Sequence, residues 1–139
     1  MAAKESSGAA ATFFEVVTPI LSVRELSASV RHYVEVLGFR VDWTDEGMVS
    51  VSRDRCSLML CEGAQGNPGT WVWIGVEDAG ALHAEYRASG AAVRMEPTDF
   101  PWAYEMQVTD PDGHVLRFGS EPRGDPRSGS GGESRAWRA

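Results

Sequence analysis

Tryptophan and acidic side chains are the residues of this 139-residue chain whose types and spacing could bind a ligand. Trp71 and Trp73 are two positions apart, so on a strand they would share one face. Flat aromatic walls suit planar heteroaromatic ligands and attract cations, and nearby carboxylates would hold amine or sulfonium groups. The alternative is that each ring is simply a core residue. The candidates lie in or beside a few short segments: Trp43, Trp71, Trp73 and Trp102, with Asp42, Asp45, Glu46, Glu62 and Glu105.

The chain shows no arrangement typical of nucleophilic catalysis. Cys56 and Cys61 are five residues apart on one expected strand, which places them about 16 Å apart on opposite faces, too far for a disulfide. No basic or histidine neighbour would activate either thiol, and no Gly-x-Ser-x-Gly or phosphate-binding loop occurs. Free thiols, and a first segment without the apolar stretch of a secretory signal, predict a cytoplasmic protein. No apolar run approaches the length of a membrane span, so no membrane partner is expected.

The charge balance argues against nucleic acid as a partner. The formal net charge is −7, and residues 12–120 alone carry 8 basic and 16 acidic residues. Proteins that bind nucleic acid carry a basic footprint, which is missing here. The excess of acid favours a cationic small molecule, and ordinary solubility is the alternative explanation.

A repeated pattern supplies the elements that must position these residues. The pattern recurs after 53 positions. A repeat of that length is one supersecondary unit, and two such units bury a core together, with a groove between them. Three residues each match a residue 53 positions later: Val23, Glu25 and Tyr33 match Val76, Asp78 and Tyr86.

Hydrophobic spacing predicts the order βαβββ in each unit. Strands are expected over residues 13–21, 39–43, 48–53, 57–61, 70–76, 91–96, 104–109 and 114–119. The first helix should stop at Gly38, and the second should be capped by Asp78 and end at Gly90. Pro19 has no N–H for a ladder, so the first strand should be an edge, a bulge or a crossing point. We expect one domain over residues 12–120 between disordered tails at 1–11 and 121–139.

These motifs resemble those of the glyoxalase/bleomycin resistance/dioxygenase superfamily, also called the vicinal oxygen chelate superfamily. The resemblance rests on Val-x-acid-Leu…Tyr…Leu-Gly-Phe in the first unit and on Asp-Pro-Asp-Gly-His-Val-Leu-Arg-Phe at 110–118, and it covers about residues 14–120. Segments 37–43, 71–74 and 101–105 are similar to the bleomycin-resistance proteins in particular. The resemblance implies an α+β fold of two βαβββ modules whose mixed sheet forms a cup, in a two-fold dimer, with strand exchange left open.

The resemblance also implies where a metal would lie. Metalloenzymes of the superfamily hold a divalent ion in the cup through His, Gln and Glu side chains on separate strands. The corresponding positions here are Thr18, Trp71 and Arg117, of which Thr is a poor ligand, Trp is none and Arg would repel a cation. Glu105 is the one remaining donor, so we expect no metal, no cofactor and no catalytic residue.

In the resistance proteins the groove holds the drug's planar bithiazole tail between aromatic rings, and acidic residues meet its cationic end. Asp42, Trp43 and Met48 fall where that family has an acid and two aromatic groove residues, so Met48 is a departure. The sequence therefore predicts a metal-free homodimer that sequesters a cationic, partly planar molecule such as a bleomycin-type antibiotic. Two alternatives stay open. One is a lyase, transferase or dioxygenase of the same fold, metal-dependent or using Glu105 as a base, and the other is a biosynthetic accessory or regulatory binding module.

Overall fold

The chain folds into two consecutive βαβββ modules, so the predicted α+β fold class is confirmed. The computed structural model describes residues 11–124. The first module consists of β1 (Ile20–Ser22), α1 (Leu26–Arg31), β2 (Arg40–Asp45), β3 (Met48–Arg53) and β4 (Cys56–Cys61). The second consists of β5 (Trp71–Gly75), α2 (Ala79–Ser89), β6 (Ala92–Asp99), β7 (Tyr104–Thr109) and β8 (Val115–Ser120). Strands β3 and β7 have the predicted bounds, and those of the other strands after β1 differ by one to three residues.

Each module forms its own four-stranded mixed sheet. The strand orders are β1-β4-β3-β2 in the first sheet and β5-β8-β7-β6 in the second. Strands β1 and β4 pair in parallel, as do β5 and β8, and the remaining neighbours are antiparallel. The repeated valines have equivalent places, since the Val23 N–H donates to the Cys61 carbonyl (2.9 Å) and the Val76 N–H to the Gly119 carbonyl (2.8 Å).

The two helices lie between the sheets. Helix α1 packs on β3 and β4, helix α2 packs on β6, β7 and β8, and α2 also contacts the π-helical turn (His32–Val36) that follows α1. The inner faces of both sheets therefore share one core, which includes Leu21, Val51 and Leu60 from the first module and Met106 and Leu116 from the second. Since each inner face is covered by a helix, the opposite faces of the two sheets point away from each other.

Local capping signals set the ends of both helices, as predicted. Helix α1 continues into a π-helical turn (His32–Val36), and Gly38 follows in the left-handed region at φ +82°. Asp78 caps α2 by accepting a hydrogen bond from the Ala81 N–H (3.1 Å), and Gly90 ends that helix at φ +87°. Glycine tolerates this conformation because it has no β-carbon to clash with the backbone.

The repeated tyrosines join the modules. Both are buried, at 0% and 1% exposure. The Tyr33 hydroxyl donates to Asp110 Oδ2 of the second module (2.8 Å), and the Tyr86 hydroxyl donates to the Leu37 carbonyl of the first (2.7 Å). Burial raises the pKa of Tyr86 to about 12, so its hydroxyl stays a donor at neutral pH. Each module thus hydrogen-bonds a buried group of the other, which fixes their relative position.

The turn between β7 and β8 adds to this junction. His114, which follows the turn, is fully buried and accepts a hydrogen bond from the Thr70 N–H at Nδ1 (2.9 Å). Its Nε2 lies 2.6 Å from the Ser22 carbonyl of the first module. Because Nδ1 is an acceptor, the proton is on Nε2 and is donated to Ser22. His114 is therefore a structural residue.

The prediction of a first strand over 13–21 is wrong. Regular pairing begins at Ile20, and residues 11–19 form neither helix nor strand. The Pro19 carbonyl still accepts from the Met59 N–H (2.9 Å), but proline has no N–H with which to extend the ladder. Four apolar side chains ahead of it are 50–89% exposed: Phe13, Phe14, Val16 and Val17.

The described part of the second module extends past residue 120. The Arg123 guanidinium lies over the Tyr104 ring (4.1 Å from Cζ to the centroid), and the backbone N–H of Arg123 donates to Asp99 Oδ1 (2.8 Å). Of the tails expected at residues 1–11 and 121–139, residues 1–10 and 125–139 lie outside the described residues. Neither helix within residues 11–124 combines the length and apolarity needed to cross a lipid bilayer.

Candidate functional site

Seven residues are predicted to bind the ligand: Asp42, Trp43, Met48, Trp71, Trp73, Trp102 and Glu105. In the single chain they belong to two separate modules. We call the outer face of the first sheet, with Asp42, Trp43, Ser50 and Ser52, the first-sheet face. We call the outer face of the second sheet, with Trp71, Trp73, Glu105, Gln107 and Arg117, the second-sheet face. Met48 begins β3 in the first sheet, and Trp102 lies in the loop between β6 and β7.

Glu105 is the centre of the second-sheet face. Its side chain is 1% exposed and forms a bidentate ion pair with Arg117, from Nε to Oε2 (2.6 Å) and from Nη2 to Oε1 (2.9 Å). Trp102 Nε1 donates to Oε1 (3.1 Å), and Gln107 Nε2 donates to Oε2 (3.0 Å). Both carboxylate oxygens are therefore occupied by protein donors.

This arrangement determines the chemistry of Glu105. Burial alone would raise the pKa of the carboxyl, but hydrogen bonds from Arg117, Gln107 and Trp102 outweigh it and lower the pKa below its usual range. A carboxylate with a lowered pKa and four donors is a weak base. Its charge is also compensated by Arg117, so it is a poor counter-ion for a cationic ligand.

The tryptophans of β5 lie on the second-sheet face, as the period of two predicts. The alternate residues of the strand, Val72 and Ile74, pack against the core on the other face. Trp73 lies over Gly119 of the neighbouring strand, where a β-carbon would collide with the ring. Arg117 holds the same ring from above, with Cζ 5.0 Å from its centroid. A glycine and an arginine thus fix Trp73 against the sheet.

Two further rings remain accessible beside it. Trp71 is 53% exposed, and the Arg94 guanidinium lies 4.8 Å from its centroid. Trp102 is 42% exposed and stacks on Phe100, with centroids 4.6 Å apart and ring planes within 4°. Braced aromatic rings of this kind offer a preorganised apolar surface for a flat ligand.

The first-sheet face carries an acid, Asp42. Asp42 accepts hydrogen bonds from Ser52 Oγ (2.8 Å) and Ser50 Oγ (3.3 Å), and Arg40 Nε lies 3.6 Å from its Oδ1. Trp43 is 43% exposed and lies opposite Ser50 in the register of β2 and β3. This face therefore presents one exposed ring beside a hydrogen-bonded carboxylate.

Glu62, counted among the acids near the aromatic rings, has a different role. It accepts a hydrogen bond from the Leu26 N–H (3.1 Å) at the start of α1, where the N-cap residue Glu25 makes no side-chain bond. A carboxylate at this position stabilises the helix terminus.

The residues present do not fit the divalent metal that some proteins of this fold hold. Within residues 11–124, no three His, Cys, Asp or Glu side chains lie close enough to bind a metal ion together. Three positions correspond to the metal ligands of those proteins. Thr18 precedes the first strand, the Trp71 side chain has no lone pair with which to bind a metal, and Arg117 places a cation against Glu105. We therefore derive no reaction step through a metal.

A cavity of about 710 Å³ lies elsewhere, where the turn between β3 and β4 meets the start of α2. It contains none of the seven predicted site residues, and charged side chains such as Arg55 and Glu77 form part of its wall. Burial, aided by Asp54, raises the pKa of the Cys56 thiol in this wall, which makes it a poor nucleophile. We therefore propose no reaction at this cavity.

Three features of the second-sheet face were not predicted from the sequence: Arg94, Gln107 and the pairing of Arg117 with Glu105. The pairing had a readable signal, because Asp-Pro-Asp-Gly at 110–113 is typical of a hairpin turn, and such a turn would align β7 with β8. In the observed register Gln107 is opposite Arg117, which leaves Glu105 one diagonal step away. Arg94 had no such signal, since its contact with Trp71 spans the sheet from one edge strand to the other.

Residues 14–118 match the family model for the glyoxalase/bleomycin resistance protein/dioxygenase superfamily. The chain belongs to this superfamily. One similar structure is the bleomycin-binding protein of bleomycin-producing Streptomyces verticillus in complex with copper(II)-bleomycin. It is 26% identical, with a TM-score of 0.68, and the match covers 79% of this chain and 98% of that one.

Two further structures show the same fold at lower identity. TnmS3, an antibiotic-binding protein from Streptomyces sp. CB03234, is 22% identical with a TM-score of 0.70, covering 81% of this chain and 98% of that one. TioX from Micromonospora sp. ML1 is 18% identical with a TM-score of 0.66, covering 80% and 99%. No curated protein sequence matches the chain.

Proposed function

We propose that this protein binds and sequesters a partly planar aromatic antibiotic, of the bleomycin type, without a metal and without turnover. The observation that carries the proposal is the braced aromatic surface of the second-sheet face, where Trp73 is fixed and Trp71 and Trp102 are exposed. A relative with 26% identity binds copper(II)-bleomycin, which supports a ligand of this class. Sequestration requires only a tight complex and enough protein.

The state of Glu105 supports binding rather than catalysis. The enzyme alternative without a metal needs Glu105 as a base, yet four hydrogen bonds from protein donors occupy its oxygens. Abstracting a proton would require breaking the ion pair with Arg117 inside a nearly inaccessible site. The bidentate ion pair instead holds the aromatic rings in place.

A two-fold dimer would complete the groove. In this proposal the first-sheet face of one chain lies against the second-sheet face of its partner, so that Trp43 and Trp71 come from different subunits. The cationic end of the ligand would then meet Asp42 and the acidic turn formed by Asp45 and Glu46. The exposed apolar side chains at 13–17 would become buried against the partner subunit. Two unpaired cysteines fit a cytoplasmic location for this dimer.

Calorimetry with metal-free bleomycin and a panel of planar cationic and anionic compounds tests this function. We expect Trp43→Ala and Trp102→Ala each to weaken binding by about tenfold or more, since truncating a buried aromatic anchor costs about 2 kcal/mol. Val34→Ala, which truncates a partly exposed side chain in the π-helical turn after α1, is the control and should leave affinity unchanged. Full affinity in both tryptophan variants, with the fold intact by circular dichroism, would mean that the ligand binds elsewhere.

The electrostatic part of the proposal has its own test. Asp42→Asn should lower the affinity for a cationic ligand and reduce its dependence on salt, because screening shortens the reach of a charge from about 10 Å at 0.1 M to about 3 Å at 1 M. Metal analysis of protein purified without chelator should find well under one ion per chain. Stoichiometric Zn, Mn, Ni or Fe would support the metalloenzyme alternative instead.

A further inference from the structure

Arg94 is a charged residue of the second-sheet face that the proposed groove has not yet used. It lies on the edge strand β6, with its guanidinium over Trp71 of the opposite edge strand, and its Nη1 donates to Gln107 Oε1. Within residues 11–124 no carboxylate forms an ion pair with Arg94, whereas Arg117 is paired with Glu105. The contacts on this face therefore join two guanidinium groups to one carboxylate, a local excess of positive charge in a chain of net charge −7.

We propose that Arg94 and Trp71 form a subsite for the acidic oxygen of a planar aromatic acid, a carboxylate or phenolate attached to a fused ring. This inference rests on the proposed function and deepens it by naming a chemical group of the ligand. The ligand's ring would lie beside Trp71, against the part of the indole that Arg94 leaves exposed, and the oxygen would accept hydrogen bonds from Arg94. The ligand would then carry an acidic oxygen at the second-sheet face and its basic group at Asp42.

The geometry suits this assignment for two reasons. First, a guanidinium offers five N–H donors in a planar fork that matches a carboxylate. Gln107 accepts from Nη1, and the other N–H groups of Arg94 have no acceptor within residues 11–124. Second, Gln107 is 8% exposed and is itself bonded to Glu105, so it holds the Arg94 head over the ring. An oriented donor loses less conformational entropy when it binds.

The absence of an ion pair within residues 11–124 distinguishes Arg94 from Arg117. Arg117 also lies over a tryptophan, but its Nε and Nη2 are both committed to Glu105. A second anion there would compete with a buried carboxylate that has nowhere else to pair. Arg94 can accept an anion without breaking any ion pair of the protein.

Three anthracene derivatives of equal ring size test the assignment on the full chain: the carboxylate, the carboxamide and the aminomethyl compound. Affinities are measured by calorimetry, and the Trp71 indole N–H signal in NMR spectra reports whether the ring is contacted. We expect the carboxylate to bind about tenfold tighter than the carboxamide, the ratio typical of one charge-assisted hydrogen-bond pair. Arg94→Gln should remove that preference while the ring still binds, and Arg94→Lys should keep part of it.

Arg87→Gln, which removes an exposed arginine of α2, is the matched control and should leave the preference intact. Trp71→Leu should weaken all three compounds together. Equal binding of the carboxylate and the carboxamide, tighter binding of the aminomethyl compound, or a preference that survives Arg94→Gln would overturn the subsite but leave the aromatic groove. Failure of all three compounds to bind at about 1 mM, a free energy near −4 kcal/mol, would also overturn the subsite. Bleomycin titrated into the same protein tests the proposed function separately, and its failure to bind as well would overturn that function.

Discussion

Replacing Arg117 with methionine should destabilise the protein because it leaves Glu105 buried without its counter-charge. Methionine keeps the unbranched apolar stem of the side chain but removes the guanidinium, and with it the charge and the contact with Trp73. Breaking one partner of a buried ion pair costs about 3–5 kcal/mol. Arg117 is 33% exposed, so water already screens part of the pair, and Trp102 and Gln107 remain as donors. We therefore expect a loss of about 2–3 kcal/mol in the free energy of unfolding at pH 7.

The loss should depend on pH in a defined direction. In the wild-type protein the pKa of Glu105 is lowered, so its ion pair adds stability above the unfolded-state pKa of about 4.3. That stability disappears as the pH falls through the folded-state pKa. In Arg117→Met the effect of burial is opposed only by neutral donors, so the pKa of Glu105 rises and the carboxylate becomes a cost at neutral pH. The stabilities of the two proteins should therefore converge as the pH falls through the folded-state pKa of Glu105 in the wild-type protein.

Urea denaturation followed by circular dichroism measures this effect. With a slope of about 1–1.5 kcal/mol per M, the midpoint at pH 7 should fall by about 2 M. Arg40→Met is the matched control, since Arg40 is 68% exposed and pairs with Asp42 at 3.6 Å, and it should cost at most about 0.5 kcal/mol. Arg117→Met combined with Glu105→Gln should recover part of the loss. An Arg117→Met protein as stable as the control, or one with a pH-independent deficit, would refute the ion-pair argument.

Three further outcomes are expected. Tyr33→Phe should cost about 1–3 kcal/mol, because Asp110 loses a buried donor, and urea denaturation would show it; an unchanged midpoint would contradict a role of the hydroxyl in joining the modules. Gly119→Val should push Trp73 off the sheet, which shifts tryptophan fluorescence and weakens ligand binding, whereas Gly75→Ala on the neighbouring strand has open space and is the control. Sedimentation should show a dimer at micromolar concentrations, and a monomer at every concentration would contradict a groove formed between the faces of two subunits.

Much of the fold could be read from local signals. The Asp78 cap, the glycines at 38 and 90 and the turn at 110–113 act within one or two turns of the chain, so their effect depends little on distant residues. The repeat located equivalent residues in both modules, and the two buried tyrosines confirm it. The expected strand over 13–21 failed because apolar residues form a strand only where a neighbouring strand supplies hydrogen bonds.

The candidate site was predictable only in part. Alternation along β5 put Trp71 and Trp73 on one face, and that inference needed only the period of a strand. The grouping of Trp43 with these rings needed the relative position of two sheets, which no local pattern encodes. Composition likewise pointed to an acidic groove, whereas the second-sheet face carries Arg94 and a neutralised Glu105.

By itself the sequence determined the elements, their order, their repetition and the family, because these follow from short-range propensities and from motifs a few residues long. Only the tertiary structure decided what each charged side chain meets. Glu105 is twelve residues from Arg117, and Arg94 is twenty-three from Trp71. Those contacts exist because strand order and twist bring separate segments together, and the charge and basicity of a carboxylate depend on such neighbours more than on its position in the chain.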